Sequence, residues 1–489
     1  MVSYRKLKNV LISAFIIPIY FILYTKIGDM LAHGWDEDVA IYVFSLLGVI
    51  QFAYCAVQWR KMSGNWFSKQ FLFLIFLYMF NFGQCFMWAF GVHAEGEIST
   101  SNFLYYTISI DAQVICQSQL LVLIMAWMLN LGMLCVYKRP AQPESVSEAH
   151  TAPAVNVQTP TERQYLQISL LLSVVIFACS LYCTLQSIAI SREHGYAANY
   201  YGEYAYSTNT IIVLLGMMSF SSVMSILIFN RDQNRRVTLY AYGFFILSAC
   251  IGFFSGDRGF VYTAMILIFW RLQTRGFKLR PLKLVLILVV GYGALALLTS
   301  VKEVRSSAFT LSDLLAVAAG GESPIANTFF EMGGSMSPLV RLVKAGYNPY
   351  PYGNTFLFTL LGMISENIIS FFGIPYKSLS TWFSFDYLGI TSGAGFSLFA
   401  ELYMNFGAYF GSAMALVFGC LFGKGISYNK SGAMGELFSV TALAAFITVV
   451  RNTFQNGMKN FFYTVIIYML MLWVIRMILS VRKNNSVSL

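Results

Sequence analysis

The chain has 489 residues, of which 57% are hydrophobic and 11% charged, with mean hydropathy +0.63 and a formal net charge of +10. Soluble domains carry about 25% charged residues, so this composition excludes a soluble globular or disordered protein. It sets the fold class as an all-α polytopic membrane helix bundle. The positive charge reads as a topology signal, and nucleic acid is not among the expected partners.

Helical spans need about 17 to 25 apolar residues. Runs of that kind recur in chain order near residues 10–25, 39–58, 70–92, 112–137, 165–190, 210–229, 238–255, 259–273, 283–300, 396–423, 435–453 and 460–480, which predicts about twelve transmembrane helices. The first follows Arg5, Lys6 and Lys8 and has no small-residue cleavage site after it, so it reads as an uncleaved span. With the N terminus in the cytoplasm, most of the 32 Lys and Arg residues fall on that side, including "RLQTRGFKLRPLK" at 271–283. The acidic "WDED" (35–38) and "HAEGEIS" (93–99) then lie outside, and both termini are cytoplasmic.

The expected organisation is N-terminal spans over 1–137, a linker over 138–164, central spans over 165–300, an outer loop over 301–395 and C-terminal spans over 396–489. The linker contains Pro140, Pro143, Pro153 and Pro160 and almost no large apolar residue, which predicts a disordered cytoplasmic segment. All eight cysteines fall in predicted spans without metal-ligand spacing, so neither a disulfide framework nor a metal site is expected. Cys179 and Cys183 share a helix face and read as packing residues.

The outer loop is patterned as a folded helical cap. "TLSDLLAVAAGG" and "SPLVRLVKAG" each have a helix start, an apolar face and a glycine stop. Residues 356–373 are apolar enough to enter the bilayer, but Ser365, Glu366 and Asn367 interrupt them, which predicts a re-entrant or interfacial helix. Tyrosines crowd "GYAANYYGEYAY" (195–206) and "YNPYPYG" (347–353), where an interfacial belt and sugar stacking both fit.

Ionisable residues collect at the outer ends of spans and in this loop: Arg258, Lys302, Arg305, Glu401, Arg451 and Lys459, with Glu331, Arg341 and Glu366. A charge within a span costs roughly 3 kcal/mol on insertion scales and usually faces a cavity or a partner. Several on one side therefore predict a shared polar cavity. Arginine dominates the set, and its planar fork suits diphosphate or carboxylate. Each position also has a plainer reading. Arg258, in the turn "FFSGDRGFVY" (253–262), can cap the hairpin and reach lipid headgroups. Arg341 and Lys344 can form the solvated face of an amphipathic helix. Glu401 can be one half of a structural ion pair with an arginine.

The turn "GDRGF", the loop sequences "FFEMGGSMSPL" (329–339) and "NPYPYGNTFLFTLLGMI" (348–364), and above all "GFSLFAELYMNFGAYFG" (395–411) resemble the O-antigen polysaccharide polymerases of the Wzy type. The resemblance covers roughly residues 250–425. It departs from the family pattern at "SENIISFFGIP", where the Ile-Pro turn comes late, at Ile374 and Pro375. It implies a bacterial inner-membrane glycosyltransferase. Such an enzyme takes oligosaccharide repeat units on undecaprenyl diphosphate at the periplasmic face and transfers the growing chain en bloc to the next unit. It implies no cofactor and no metal, and it makes a polysaccharide chain-length regulator a partner to test.

Departure of the lipid diphosphate builds negative charge that fixed cations stabilise. Arg258 and Arg451 are the expected catalytic cations, with Arg305 and Arg341 binding substrate. The acceptor hydroxyl needs a base. Glu401 is the first candidate, then Glu331 and His194, while Tyr403 and Asn405 are expected to orient sugar hydroxyls. Three rivals stand beside this reading. Asp36, Glu37 and Asp38 could hold a metal in another lipid-linked-sugar glycosyltransferase, and an O-antigen ligase would share the donor and the arginines. A flippase or transporter would have a similar number of spans, but repeated halves and a midplane site are absent from the sequence.

Overall fold

The computed structural model describes residues 2–94, 97–98, 110–138, 158–199, 209–254, 259–275, 293, 296, 323–364, 366–373, 376–390, 394–428 and 432–487. Its regular structure there is helical. Ten helices among the described residues are long and apolar enough to cross a membrane. The expected span at 259–273 is the 17-residue helix Gly259–Arg275, and that at 283–300 lies outside the described residues but for two positions.

In chain order the helices are α1 (Val2–Ala32), α2 (Glu37–Ser63), α3 (Lys69–Trp88), α4 (Ala112–Val136), α5 (Pro160–His194), α6 (Thr210–Met217), α7 (Ser219–Asn230), α8 (Arg235–Phe254) and α9 (Gly259–Arg275). Then come the loop helices α10 (Pro324–Gly333), α11 (Ser337–Ala345), α12 (Thr355–Gly362) and α13 (Glu366–Phe371), followed by α14 (Leu398–Ile426), α15 (Ala433–Arg451), α16 (Phe454–Phe461) and α17 (Tyr468–Val487). The most buried spans are α3, α4 and α15. Helices α1 and α2 pack on α3 and α4, while α5, α7 and α8 pack together and reach the centre through α15.

Small residues set the tightest contact, between α4 and α14. A Cβ on Gly132 would stand 2.2 Å from the Leu416 carbonyl oxygen, and one on Gly419 would stand 2.1 Å from that of Leu129. Only glycine lets the two backbones meet this closely, as in membrane helix pairs that have no hydrophobic force between them. Within α14, Gly407 adopts φ 68°, and its left-handed conformation divides the helix into a short first segment carrying Glu401 and a longer second segment.

One end of the bundle gathers the basic residues. There Arg271 grips Asp232 with bonds of 2.6 and 2.8 Å, Arg231 bonds Glu162, and Arg476 reaches Thr161, Gln164 and Tyr165. The helix α5 starts at Pro160, inside the segment expected as linker. Thr159 and Glu162 form a reciprocal capping box, and Gln158 donates to the Phe229 carbonyl at 2.7 Å. Residues 139–157 lie outside the described residues.

The loop helices cover the opposite end. Helix α10 seats on α3, where a Cβ on Gly333 would approach the Gln84 nitrogen to 2.3 Å and Gln84 donates to the Phe330 carbonyl at 2.9 Å. This explains the glycine in "FFEMGGSM" as a backbone crossing. Helix α11 ends at Gly346 in the left-handed conformation, as its pattern predicts, and packs on α4 and α14. The apolar run 356–373 falls within two short helices, α12 and α13, neither long enough to span a bilayer. The segment "TLSDLLAVAAGG" lies outside the described residues.

Candidate functional site

The site is built where α15 ends and the chain turns back. Helix α15 closes on Arg451, Thr453 caps α16 through the Asn456 amide, and Gly457 lets α16 lie on Val449, whose side chain a Cβ would meet at 2.5 Å. In the sequence "RNTFQNGMKN", Asn456 and Asn460 share one face of α16, one turn apart, and Asn452 precedes them in the extended backbone before the Thr453 cap.

The three asparagines line a cavity of about 500 Å³. Opposite them stand Ser180 and Thr184 of α5, Ser219 at the break between α6 and α7, Ser248 of α8, and Gly259 and Tyr262 of α9. The break matters to its shape. Helices α6 and α7 are divided at Met218, and Gly216 approaches the Ser180 backbone, where a Cβ would stand 3.2 Å from the Ser180 Cα. Asn460 donates to the Thr448 hydroxyl at 3.0 Å, which fixes part of the asparagine face. The lining is mixed: these hydroxyls and carboxamides, which pair with sugar hydroxyls as both donors and acceptors, stand beside Val213, Met217, Phe220, Phe244, Phe245 and Phe260.

Arg451 is exposed and directly precedes the lining residue Asn452 in sequence. Its guanidinium lies over the Phe80 ring at 5.4 Å, a contact that orients a cation without neutralising it. Phe80 packs on Phe76 and Phe76 on Tyr262, with centroids 5.7 and 6.5 Å apart, so an aromatic chain runs from the guanidinium to the cavity wall. Arg258 and Arg305 lie outside the described residues, but Gly259, the residue after Arg258, lines the cavity.

Glu401 is 1% exposed and belongs to a closed network. One carboxylate oxygen accepts from the Thr355 hydroxyl at 2.5 Å and the other from the Phe454 amide at 2.7 Å. Asn405 completes the knot. Its Oδ1 accepts from the Thr355 amide at 3.0 Å, and its Nδ2 donates to the Thr355 hydroxyl and the Glu401 carbonyl. Glu401 is thus held by a hydroxyl and a helix N-terminal amide, where an arginine was one expectation. The carboxylate suits that terminus because the first amides of a helix lack intrahelical acceptors and carry its positive pole. Beside the knot, Phe356 packs on Phe406, Phe418 and Phe454 with centroids 5.0–5.6 Å apart.

The remaining sequence candidates are spread out. Arg341 is 6% exposed on α11, so it is not on a solvated face, whereas Lys344 is exposed. Arg341 lies near Tyr387; burial pushes that hydroxyl above its usual range, Tyr347 adds to the rise and Arg341 opposes it. Glu331 is half-buried on α10, against α3. Tyr403 faces Tyr24 of α1, and His194 is exposed at the end of α5. Tyr350 and Tyr352 pack against each other, and Tyr350 also packs on Trp382, within the loop. Asp36 caps α2 through the Val39 amide at 3.0 Å. Cys183, expected as a packing residue, also lines the cavity. The asparagine face went unread in the sequence, although its spacing of four was visible there.

The family model for O-antigen polysaccharide polymerase Wzy matches residues 9–483, nearly the whole chain. No curated protein and no solved structure matches it.

Proposed function

The chain belongs to the O-antigen polysaccharide polymerase Wzy family, and from that premise we propose that the cavity beside Arg451 is where repeat units are joined. The protein polymerises lipid-diphosphate-linked oligosaccharide repeat units as a multi-pass membrane glycosyltransferase. The observation that carries the assignment of the site is the cavity itself, with room for sugars and with hydroxyls and carboxamides in its lining; we place the Arg451 guanidinium, which precedes the lining residue Asn452, at its rim.

In this reading the basic end of the bundle is cytoplasmic and the cavity lies toward the periplasmic face of the inner membrane, because basic residues resist translocation. The asparagine face holds sugar hydroxyls. As the acceptor hydroxyl attacks the anomeric carbon and the C–O bond to the carrier breaks, the hydroxyl proton passes to the departing diphosphate, whose developing charge Arg451, with Arg258 in the turn before Gly259, stabilises. Arg305 belongs to the same group. The guanidinium groups meet this charge without a metal. Arg341 and Glu331 support the loop that closes the site, and a chain-length regulator would meet the protein elsewhere. Glu401, with Asn405, acts through the Phe454 amide by holding α16 in place; Tyr403 braces the same segment against α1.

The test is a gel profile of surface polysaccharide from a host lacking the gene, restored by plasmid. Wild type should return a ladder of long chains, and Arg451→Ala, inserted at normal level, should leave a single capped unit. A full ladder from Arg451→Ala would overturn the assignment of the site. Loss of even the single-unit band in the null host would point to transfer or export in place of polymerisation.

A further inference from the structure

Helix α16 has a second face. Phe454, Met458 and Phe461, spaced i, i+4, i+7, line an apolar cavity of about 370 Å³ on the side away from the asparagines. Phe418 and Phe422 of α14 and Phe446 of α15 form its other walls. Their rings are in contact: Phe418 with Phe454 at 5.0 Å, Phe422 with Phe446 at 4.5 Å and Phe446 with Phe461 at 5.3 Å. Gly425 makes room for this wall, since a Cβ there would come within 2.7 Å of the Phe446 ring. The cavity extends from Phe454, beneath the Glu401 knot, to Lys424 and Tyr428 at the basic end.

We propose that this cavity binds the first isoprene units of the polyprenyl chain on a lipid-diphosphate substrate. The proposal rests on the polymerase reading above. Such a substrate changes from sugar and diphosphate to hydrocarbon at one bond, so its two parts need a polar site and an apolar site within roughly one helix diameter, about 10 Å. Helix α16 is the shared wall of the apolar cavity and of the mixed one into which its asparagines bring carboxamides. The direction also agrees, because a tail leaving a diphosphate at the Arg451 end must run into the bilayer, toward the basic end. A single branched chain suits a slot walled by aromatic rings, which bury methyl groups and double bonds against flat apolar faces. A phospholipid must place two chains beside each phosphate.

The test uses the full-length protein in phosphatidylethanolamine nanodiscs and a sugar-free undecaprenyl diphosphate carrying a photoreactive group on its first isoprene units. The expected label falls on peptides within 418–461 and is removed by unlabelled undecaprenyl diphosphate. A phospholipid with a photoreactive acyl chain should not label them saturably. Leu421 lines the cavity and is 54% exposed, so Leu421→Trp should fold while narrowing the slot and cut labelling about fivefold, a loss of little more than one buried methylene. Should that variant yield less folded protein, Met458→Phe is the comparison. Label elsewhere, equal competition by phospholipid, or unchanged labelling in a folded narrowed variant would overturn the proposal. The polysaccharide ladder is scored separately: labelled cavity without ladder sinks the polymerase reading alone, and ladder with label elsewhere sinks this cavity alone.

Discussion

Two regions of the molecule are packed by opposite rules. Between α4 and α14, glycines bring backbones to within contact of one another, and the interface has no room for a single added carbon. Between α5, the broken pair α6 and α7, α8, α9 and α16, helices stand apart around about 500 Å³ lined partly with hydroxyls and carboxamides and partly with phenylalanines and other apolar side chains. The first region gives a fixed frame, and the second leaves space for a substrate larger than a side chain. The Glu401 knot joins them. It sits on the first segment of α14 and holds the N terminus of α16, which is a wall of the open region.

The largest effect should come from breaking the dense side. Gly419→Leu places carbon atoms where the Leu129 carbonyl lies 2.1 Å from an ideal Cβ, so its cost should exceed the about 3 kcal/mol of ordinary overpacking. Thermal unfolding in detergent should show loss of the folded species, and a wild-type melting curve would count against the frame. Next comes the knot. Glu401→Ala leaves the Thr355 hydroxyl and the Phe454 amide without their acceptor, at roughly 1–3 kcal/mol each. Glu401→Gln keeps one acceptor for the amide and lets the Thr355 hydroxyl turn to accept. A positioning residue should therefore lose most activity and stability as alanine and retain much of both as glutamine. If Glu401→Gln is fully folded yet makes no polymer, Glu401 is a base after all.

The spans and their basic end were legible because apolar length and Lys/Arg bias are properties of contiguous sequence. So was the α11 stop at Gly346, which needs only local conformation. The knot was not. Thr355 and Phe454 lie 46 and 53 residues from Glu401, and the motif "AELYMNFG" does not name its partners. The burial of Arg341 was hidden for a related reason: an amphipathic pattern identifies a polar face but not what covers it. The asparagines at 456 and 460 were readable as one face, yet polar residues after a span ordinarily signal a loop. Family resemblance filled part of this gap, covering roughly residues 250–425 by inspection where the family model matches nearly all of the chain.

Within the open region the rim should matter more than the wall. Arg451→Ala should lower polymerisation by a factor of about 10² to 10³, the scale of losing one fixed group that stabilises transition-state charge. Arg451→Lys should recover only part, since an ammonium keeps the charge but loses the planar fork. Both variants should melt as wild type does. A matched drop in stability would place Arg451 with the frame.

The smallest effect separates the wall's two possible contributions. If Asn456 only binds sugar hydroxyls, Asn456→Ala should raise KM for the lipid-linked acceptor about tenfold, the worth of roughly one hydrogen bond, with little change in kcat. Asn456→Asp preserves size and an acceptor but puts a negative charge in the cavity beside the rim that must receive a departing diphosphate. It should therefore be worse than alanine, and worse in kcat, because the repulsion grows as the leaving group gains charge. Equal kinetics for the two variants would mean that the asparagine face and the diphosphate are too far apart to sense each other. The site would then have to be divided, with sugars bound at the wall and chemistry placed away from Arg451.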